Sequence, residues 1–203
     1  MPTRVKGGSA TANVRASVVL ARVRTVTAPI GVEVGVFTGA MSRALLAKHK
    51  DLFLYMVDSW LPAEQQPKSY SGYGDFHSKF SAKRQLGNKH AAVSGTAGFQ
   101  NRRAILHMSS RDAAEHFDDY QCDFVFLDAD HSYEGVMQDI VAWWPKVRRG
   151  GWLCGHDYGG WLWGPKGEKQ FFGVKRAVDE FAVGLGLQVI PDEDYTFFLQ
   201  RPT

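Results

Sequence analysis

Cysteine is scarce: Cys122 and Cys154 are the only two in 203 residues. Two thiols make no disulfide framework, and a reducing, cytoplasmic setting suits them. Long apolar runs are missing too. No stretch approaches the roughly 18 residues a membrane span needs, so no membrane partner is expected. Arg15, Arg22 and Arg24 interrupt the apolar stretch Val14–Val26, leaving no signal-peptide core. Acid is absent from the first 32 residues, which hold Arg4, Lys6, Arg15, Arg22 and Arg24. That segment carries +5 against a net charge of +3, so the rest of the chain stands at −2. The body has no basic excess, and nucleic acid is not indicated as its partner. Internal repeats and low-complexity blocks are also absent.

What is present is an ordinary globular composition, 44% hydrophobic and 22% charged. A chain of this length buries roughly 70% of its unfolded surface in one domain. Residues 1–12 read as a flexible basic N-terminus and 13–203 as a single domain. Val14, Val18, Val19 and Val23 can line one face of a first helix. Short apolar runs then recur as strands: Gly31–Val36, Leu52–Val57, Arg103–Met108, Phe124–Leu127 and Trp152–Cys154. Helical segments separate them. Tyr133, Val136, Met137, Ile140, Val141 and Trp144 form one continuous stripe, and Val174, Ala177, Val178 and Phe181 repeat the pattern. Ser109 and Asp112 have capping-box spacing, placing a helix directly after the third strand.

Strand–helix alternation with short apolar strands predicts a parallel sheet covered on both faces. The end differs. Leu187–Ile190 and Tyr195–Leu199 are separated by Pro191, Asp192, Glu193 and Asp194, too few residues for a crossover helix, so they form an antiparallel hairpin. Residues 61–77, with the polar stretch Pro62–Gly74 at their centre, are too long for an ordinary link. They read either as a surface loop or as a lid over the carboxyl ends of the strands.

The first strand passes into its helix through Glu33-Val-Gly35-Val-Phe-Thr-Gly39-Ala-Met-Ser42. Ligands bind at such carboxyl ends of open parallel sheets. A dinucleotide fingerprint needs three glycines where this chain has Gly35, Phe37 and Ala40, and Phe37 obstructs the backbone approach a pyrophosphate requires. Asp58 ends the second strand 23 residues after Gly35, where a carboxylate accepts bonds from ribose hydroxyls. The implied cofactor has a ribose and needs no pyrophosphate. S-adenosyl-L-methionine meets both conditions: Ser42 and the helix terminus suit its carboxylate, and Glu33 its ammonium.

These residues resemble the class I S-adenosylmethionine-dependent methyltransferases, in particular the small bacterial branch related to catechol-type and caffeoyl-CoA-type O-methyltransferases. The E-x-G-x-x-x-G-x-x-S turn reads Glu33, Gly35, Gly39 and Ser42. The acidic end of strand two is Asp58. The adenine-binding step reads Ser110-Arg111-Asp112, the D-A-D motif reads Asp128-Ala129-Asp130, and Gly150-Gly151 open strand five. The resemblance spans about residues 13–200. It implies an α/β, Rossmann-like, mostly parallel seven-stranded sheet of order 3-2-1-4-5-7-6 with helices on both faces and a C-terminal antiparallel hairpin. The function it implies is methyl transfer to a hydroxyl of a small-molecule acceptor.

Two departures bear on the chemistry. Where the relatives carry a lysine base this chain has His131, a competent base near neutral pH. Where they carry an Asp-Asn metal pair, this chain runs His156-Asp157-Tyr158. Either Asp157 stands for the aspartate with Tyr158 replacing the asparagine, or His156 and Asp157 are the pair. The catalytic set is therefore His131, Asp128 and Asp157. The cofactor set is Glu33, Gly35, Gly39, Ser42, Asp58, Trp60, Ser110 and Arg111, with Trp60 covering the adenosine. The divalent metal set, for Mg²⁺ or Mn²⁺, is Asp128, His156 and Asp157. A metal there lowers the pKa of the acceptor oxygen; on the bland reading these aspartates only cap helices. Trp161, Trp163, Phe171 and Phe172 are candidate walls of an acceptor pocket, and His107 reads as a core or sheet-face residue. A nucleic-acid methyltransferase using the basic N-terminus and a non-catalytic nucleoside-binding module are the two rivals. A homo-oligomer is compatible with everything above.

Overall fold

The structure, a computed structural model, describes residues 9–163 and 169–203. In chain order the main elements are α1 (Ser9–Arg22), β1 (Ile30–Val34), α2 (Ala40–Lys48), β2 (Phe53–Asp58), α3 (Lys68–Tyr73), α4 (Ala82–Gly95), β3 (Arg103–His107), α5 (Ser110–Ala114), β4 (Cys122–Leu127), α6 (Tyr133–Trp143), β5 (Val147–Gly155), β6 (Trp161–Trp163), β7 (Lys169–Phe171), α7 (Val174–Gly184), β8 (Ile190–Asp192) and β9 (Thr196–Gln200). Seven strands form one sheet in the order β3-β2-β1-β4-β5-β9-β8, and β6 and β7 pair apart from it. The first five are parallel, while β9 runs antiparallel to both β5 and β8. Numbered within the sheet alone, this is the expected 3-2-1-4-5-7-6.

Strand alternation divides the core into two layers. Leu54, Met56, Phe124 and Phe126 face α1, α2 and α4. Val32, Val34, Val125 and Leu127 face α5, α6 and α7. Glu33, between Val32 and Val34, consequently points to the α2 side, where Ser42 is buried.

Several local expectations change. The inward face of α1 is Ala12, Ala16 and Val19, continued by buried Val23 just past its end, with Val14 and Val18 only half-buried. Alanines let α1 lie against Met41, Ala44 and Leu45 of α2. Helix begins by Ser9, so residues 9–12 of the expected flexible segment are structured and Ala12 is core; residues 1–8 lie outside the described residues. On α6 the buried face is Val136, Asp139, Ile140 and Trp143, and Val141 of the expected stripe is 59% exposed. A buried carboxylate thus occupies an apolar stripe, which hydropathy cannot anticipate.

The hairpin turn is Glu193–Tyr195, with Asp194 and Tyr195 both at φ 54°. Pro191, expected in the turn, pairs with Phe197 from the outermost strand, where a missing N–H costs no ladder bond. Trp161 and Trp163 lie in a hairpin rather than a loop, and the side chains of Trp163 and Phe171 lie outside the described residues. Residues 61–77 are not a bare loop. They hold a 3₁₀ turn, Ala63–Gln65, then α3, then the start of a second 3₁₀ turn, Phe76–Lys79. Tyr70, Asp75 and Ser78 are buried beneath this segment. Among the described residues, no helix is long and apolar enough to cross a membrane.

Candidate active site

The carboxyl ends of β1 and β2 form one half of the site. Glu33 is 3% exposed and accepts a hydrogen bond from the Ser42 hydroxyl. Burial pushes its carboxyl up to about 8; the Ser42 bond opposes the shift and the Asp128 charge adds to it. Gly35 (φ 91°) lies so close to β4 that a Cβ there would stand 2.0 Å from the Asp128 carbonyl oxygen. Gly39 (φ 74°) is pressed against Ala92 of α4, its Cβ position 2.8 Å from that Cα. Both positions demand glycine, through left-handed backbone and contact together.

Asp58 joins the two strand ends. Its Oδ2 accepts the Phe37 amide and its Oδ1 the Trp60 amide, each at 2.7 Å. Trp60 Nε1 donates to the Phe37 carbonyl at 2.9 Å. Burial raises the Asp58 pKa, and the two amide bonds work against that rise. Each oxygen spends one lone pair on an amide and keeps acceptor capacity for a ribose diol. His107, expected in the core or on a sheet face, is exposed at the end of β3. It contacts Lys89 at 2.8 Å and the Ser59 carbonyl at 3.0 Å, beside the Trp60 ring. The Ser110 hydroxyl is occupied by Trp143 Nε1 at 2.9 Å and by buried Asp139, whose carboxyl burial lifts to about 7. Arg111 lines a groove of about 700 Å³ between α5 and α6, with Tyr133 and Met137.

The ends of β4 and β5, adjacent and parallel, form the other half. His131 Nε2 lies 3.1 Å from Asp157 Oδ2 and 3.5 Å from Asp128 Oδ1. His156 Nδ1 lies 3.2 Å and 3.5 Å from the same two oxygens. Each imidazole turns its second nitrogen to a further carboxylate: His131 Nδ1 is 2.5 Å from Asp75 Oδ2, and His156 Nε2 is 3.7 Å from Asp194 Oδ2. Arg15 bridges Asp128 Oδ2 at 2.6 Å and Asp194 Oδ2 at 3.3 Å. Asp157 holds its place with φ 59°, a left-handed conformation that aspartate tolerates better than most residues. Asp130, the second acid of the D-A-D motif, takes the Ser132 amide at 2.8 Å and stays outside the cluster. The Tyr158 hydroxyl donates to Asp179 of α7 at 2.6 Å. His156 and Asp157 both reach the cluster, while the Tyr158 hydroxyl turns to α7.

The electrostatics follow from this packing. Burial disfavours charge on both imidazoles. The bonds from Asp128 and Asp75 and the Asp157 charge nevertheless hold His131 well above the histidine range. The Asp128 charge and bonds to Asp128 and Asp157 lift His156 to about 9. Burial also opposes the Asp128 carboxylate, yet the His156 charge and the two imidazole bonds keep it well below its usual value. Protons and one guanidinium therefore balance the carboxylates. The donor set also fits a divalent cation: Asp128 Oδ1 and Asp157 Oδ2 lie 3.5 Å and 3.2 Å from His156 Nδ1, and atoms of Asp128, His131 and Asp157 all lie within 4.8 Å of one another, so the second imidazole borders the same space. S-adenosylmethionine fits the first half equally well, since the Glu33 carboxyl is met by a neutral hydroxyl, Ser42, and Asp58 retains acceptor capacity.

Arg15, Asp75 and Asp194 were not singled out as site residues by sequence. Arg15 and Arg22 are one heptad apart on a single helix face, and Arg22 pairs with Asp192 of the hairpin at 2.7 Å. That spacing was a usable signal for a docked helix edge. Asp75 and Asp194 belong to no motif and had none.

A family model described as a methyltransferase domain matches residues 32–158. Among solved structures, the O-methyltransferase NovP is similar, with 18% identity and a TM-score of 0.63 over 95% of this chain and 80% of that one. The S-adenosylhomocysteine-bound Podospora anserina methyltransferase PaMTH1 shows 14% identity and a TM-score of 0.61, covering 94% and 78%. A precorrin-6Y C5,15-methyltransferase from Geobacter metallireducens shows 10% identity and a TM-score of 0.58, covering 93% and 87%. At these identities the likeness carries the fold alone. A comparison with curated proteins returned no match.

Proposed function

The chain belongs to the methyltransferase-domain family, and on that basis we propose that it transfers the methyl group of S-adenosylmethionine to a hydroxyl oxygen of a small acceptor, assisted by a divalent metal. The observation that carries the reading is the position of His131. Its Nε2 faces Asp128 and Asp157 at the end of β4, the strand next to β1, which bears Glu33. A base thus stands beside the cofactor half of the site.

Asp58 holds the ribose hydroxyls, and Trp60 covers the nucleoside edge. Glu33, neutral in the free protein near pH 7, gives up its proton to face the cofactor's ammonium, with Ser42 beside it. When bound, the cofactor supplies a methyl on a sulfonium centre, open to in-line displacement. Asp128, Asp157 and His156 would hold the metal, which supplies positive charge to the acceptor oxygen. His131 takes the acceptor's hydroxyl proton at Nε2. In the free protein three carboxylates hold a proton on that imidazole; a cation held by Asp128 and Asp157 would supply positive charge that weakens their hold and favours the base form.

A second, metal-free reading is favoured by one observation, the Arg15 guanidinium already seated on Asp128. One experiment separates the readings. S-adenosylhomocysteine formation is followed with catechol-type acceptors in excess EDTA, then after adding Mg²⁺ or Mn²⁺. Loss and restoration of turnover support the metal; full turnover in EDTA supports His131 alone. Cofactor binding with no transfer to any hydroxylated acceptor returns the chain to a nucleoside-binding module. Salt-dependent RNA binding that is lost on deleting residues 1–8, which leaves α1 intact, points to the nucleic-acid rival.

A further inference from the structure

Asp75 lies in the segment that crosses the strand ends, 56 residues before His131 in the chain. It is 2% exposed. Its two oxygens have separate tasks. Oδ1 accepts the His77 amide at 2.9 Å, capping the 3₁₀ turn Phe76–Lys79, and lies 3.1 Å from the His77 ring. Oδ2 is 2.5 Å from His131 Nδ1. A cap needs only the first contact. The second places a buried carboxylate against the far nitrogen of an imidazole whose near nitrogen points at Asp128 and Asp157.

We propose that Asp75 is a positioning residue for His131: it keeps the proton on Nδ1 and directs Nε2 into the cluster, an inference that rests on the methyl-transfer reading above. Neutral imidazole can present a lone pair at either nitrogen, and an acceptor at Nδ1 selects the form with the lone pair on Nε2. When Nε2 takes up the acceptor's proton, the Asp75 carboxylate stabilises the resulting imidazolium. Phe172 packs its ring 4.7 Å from the imidazole centroid and limits rotation from the other side. The rest of the segment explains how Asp75 is delivered. His77 meets Phe37 edge-on at 5.3 Å and Phe80 stacks on it at 5.9 Å, so the chain that covers the cofactor turn is the chain that carries Asp75. The charges facing His131 come from Asp75, Asp128 and Asp157, and those around the cluster from Arg15, His156 and Asp194.

The test uses the full chain with Asp75→Asn, Asp75→Glu, His131→Ala and the double variant Asp75→Asn/His131→Ala. With S-adenosylmethionine and a catechol acceptor, Asp75→Asn should lower kcat by about 10–100-fold. KM for the acceptor and the affinity for S-adenosylhomocysteine should stay within about twofold, since only the chemical step is touched. Asp75→Glu should recover part of the loss. In the His131→Ala background, Asp75→Asn should cost nothing more, because its effect passes through the imidazole. Proton NMR supplies a readout that needs no turnover: a far-downfield ring proton, present in the wild type and absent from His131→Ala, should vanish or move upfield in Asp75→Asn. It therefore reads the positioning even in a chain inactive on every acceptor. Retention of that proton in Asp75→Asn, an equal loss in both backgrounds, or a parallel fall in cofactor affinity and thermal stability would overturn the proposal and leave Asp75 a structural cap.

Discussion

Arg15 and Asp128 are 113 residues apart in the chain and meet at 2.6 Å, Nη1 to Oδ2. The contact brings an N-terminal helix into the site at the end of β4. If Asp128 is a metal ligand, the guanidinium competes with the metal for its charge. Arg15→Met should therefore tighten Mn²⁺ binding by about 3–30-fold, the span of ~0.7–2 kcal/mol for a partly buried charge pair. Calorimetric titration of the free chain with Mn²⁺ measures it. Unchanged affinity would mean that Arg15 and the metal do not share Asp128.

Asp58→Ala should weaken S-adenosylmethionine binding by about 1.5–3 kcal/mol through lost bonds to the ribose. The variant also strands the Phe37 and Trp60 amides that Asp58 accepts, so Asp58→Asn is the informative companion. Asparagine keeps one acceptor oxygen and should fall between wild type and alanine. Titration calorimetry reads all three, and equal affinities would remove Asp58 from the cofactor site. No form should bind NAD, because Phe37 and Ala40 stand where a dinucleotide fingerprint needs glycine.

Glu33 makes stability depend on pH with a definite sign. Its carboxyl stands near 8 when folded against a reference of 4.5. Between those values the folded chain keeps a proton that the unfolded chain has lost, so this group's contribution is present below 4.5 and falls away as pH rises through 8. Glu33→Gln should flatten that decline and be the more stable form at pH 9. Denaturant melts of both proteins from pH 5 to 9 give the comparison. Cofactor binding at pH 7 should also release a proton from wild type and not from Glu33→Gln, seen as a buffer-dependent binding enthalpy.

His131→Ala should cost about 10²–10⁴ in kcat, the usual size of general-base catalysis. Asp128→Asn and Asp157→Asn should each reduce metal affinity, since a neutral oxygen replaces an anionic one. Full activity in both His131→Ala and Asp128→Asn would sink the catalytic assignment and leave only the nucleoside site.

Residues 61–77 should exchange backbone amides more slowly with S-adenosylhomocysteine and a catechol acceptor present than without. The segment carries buried Asp75 and Tyr70 but rests on short helical turns, which open easily. Identical protection in both states would make it a docked structural element rather than a lid.

The sheet was legible before any coordinates because its signals are local. Five short apolar runs separated by helical stretches can only be a covered parallel sheet. The four residues after Ile190 admit no crossover helix, and so fixed the antiparallel end. Glu33, Gly35, Gly39 and Asp58 were legible for a similar reason: a turn that must let a ligand reach backbone needs glycine at set intervals, and the next strand ends a set distance on. Periodicity placed Val141 on the inward stripe of α6, whereas Val141 is exposed and Asp139 is buried. The Ser110 hydroxyl bonds its carboxyl, and burial lifts that carboxyl to about 7.

The charge pattern of the site belongs to tertiary structure. Local pattern placed Asp128, His131, His156 and Asp157 at strand ends, and the resemblance to the class I methyltransferases implied that those two strands are neighbours. The sequence by itself could not determine that Asp75 would back His131, that Asp194 would face His156, or that Arg15 would span Asp128 and Asp194. Those three residues come from a covering segment, a turn and an N-terminal helix, with no shared spacing. Their meeting depends on how each element docks on the finished sheet, and that docking, through burial at Glu33 and through neighbouring carboxylates at His131 and His156, sets which groups carry a proton.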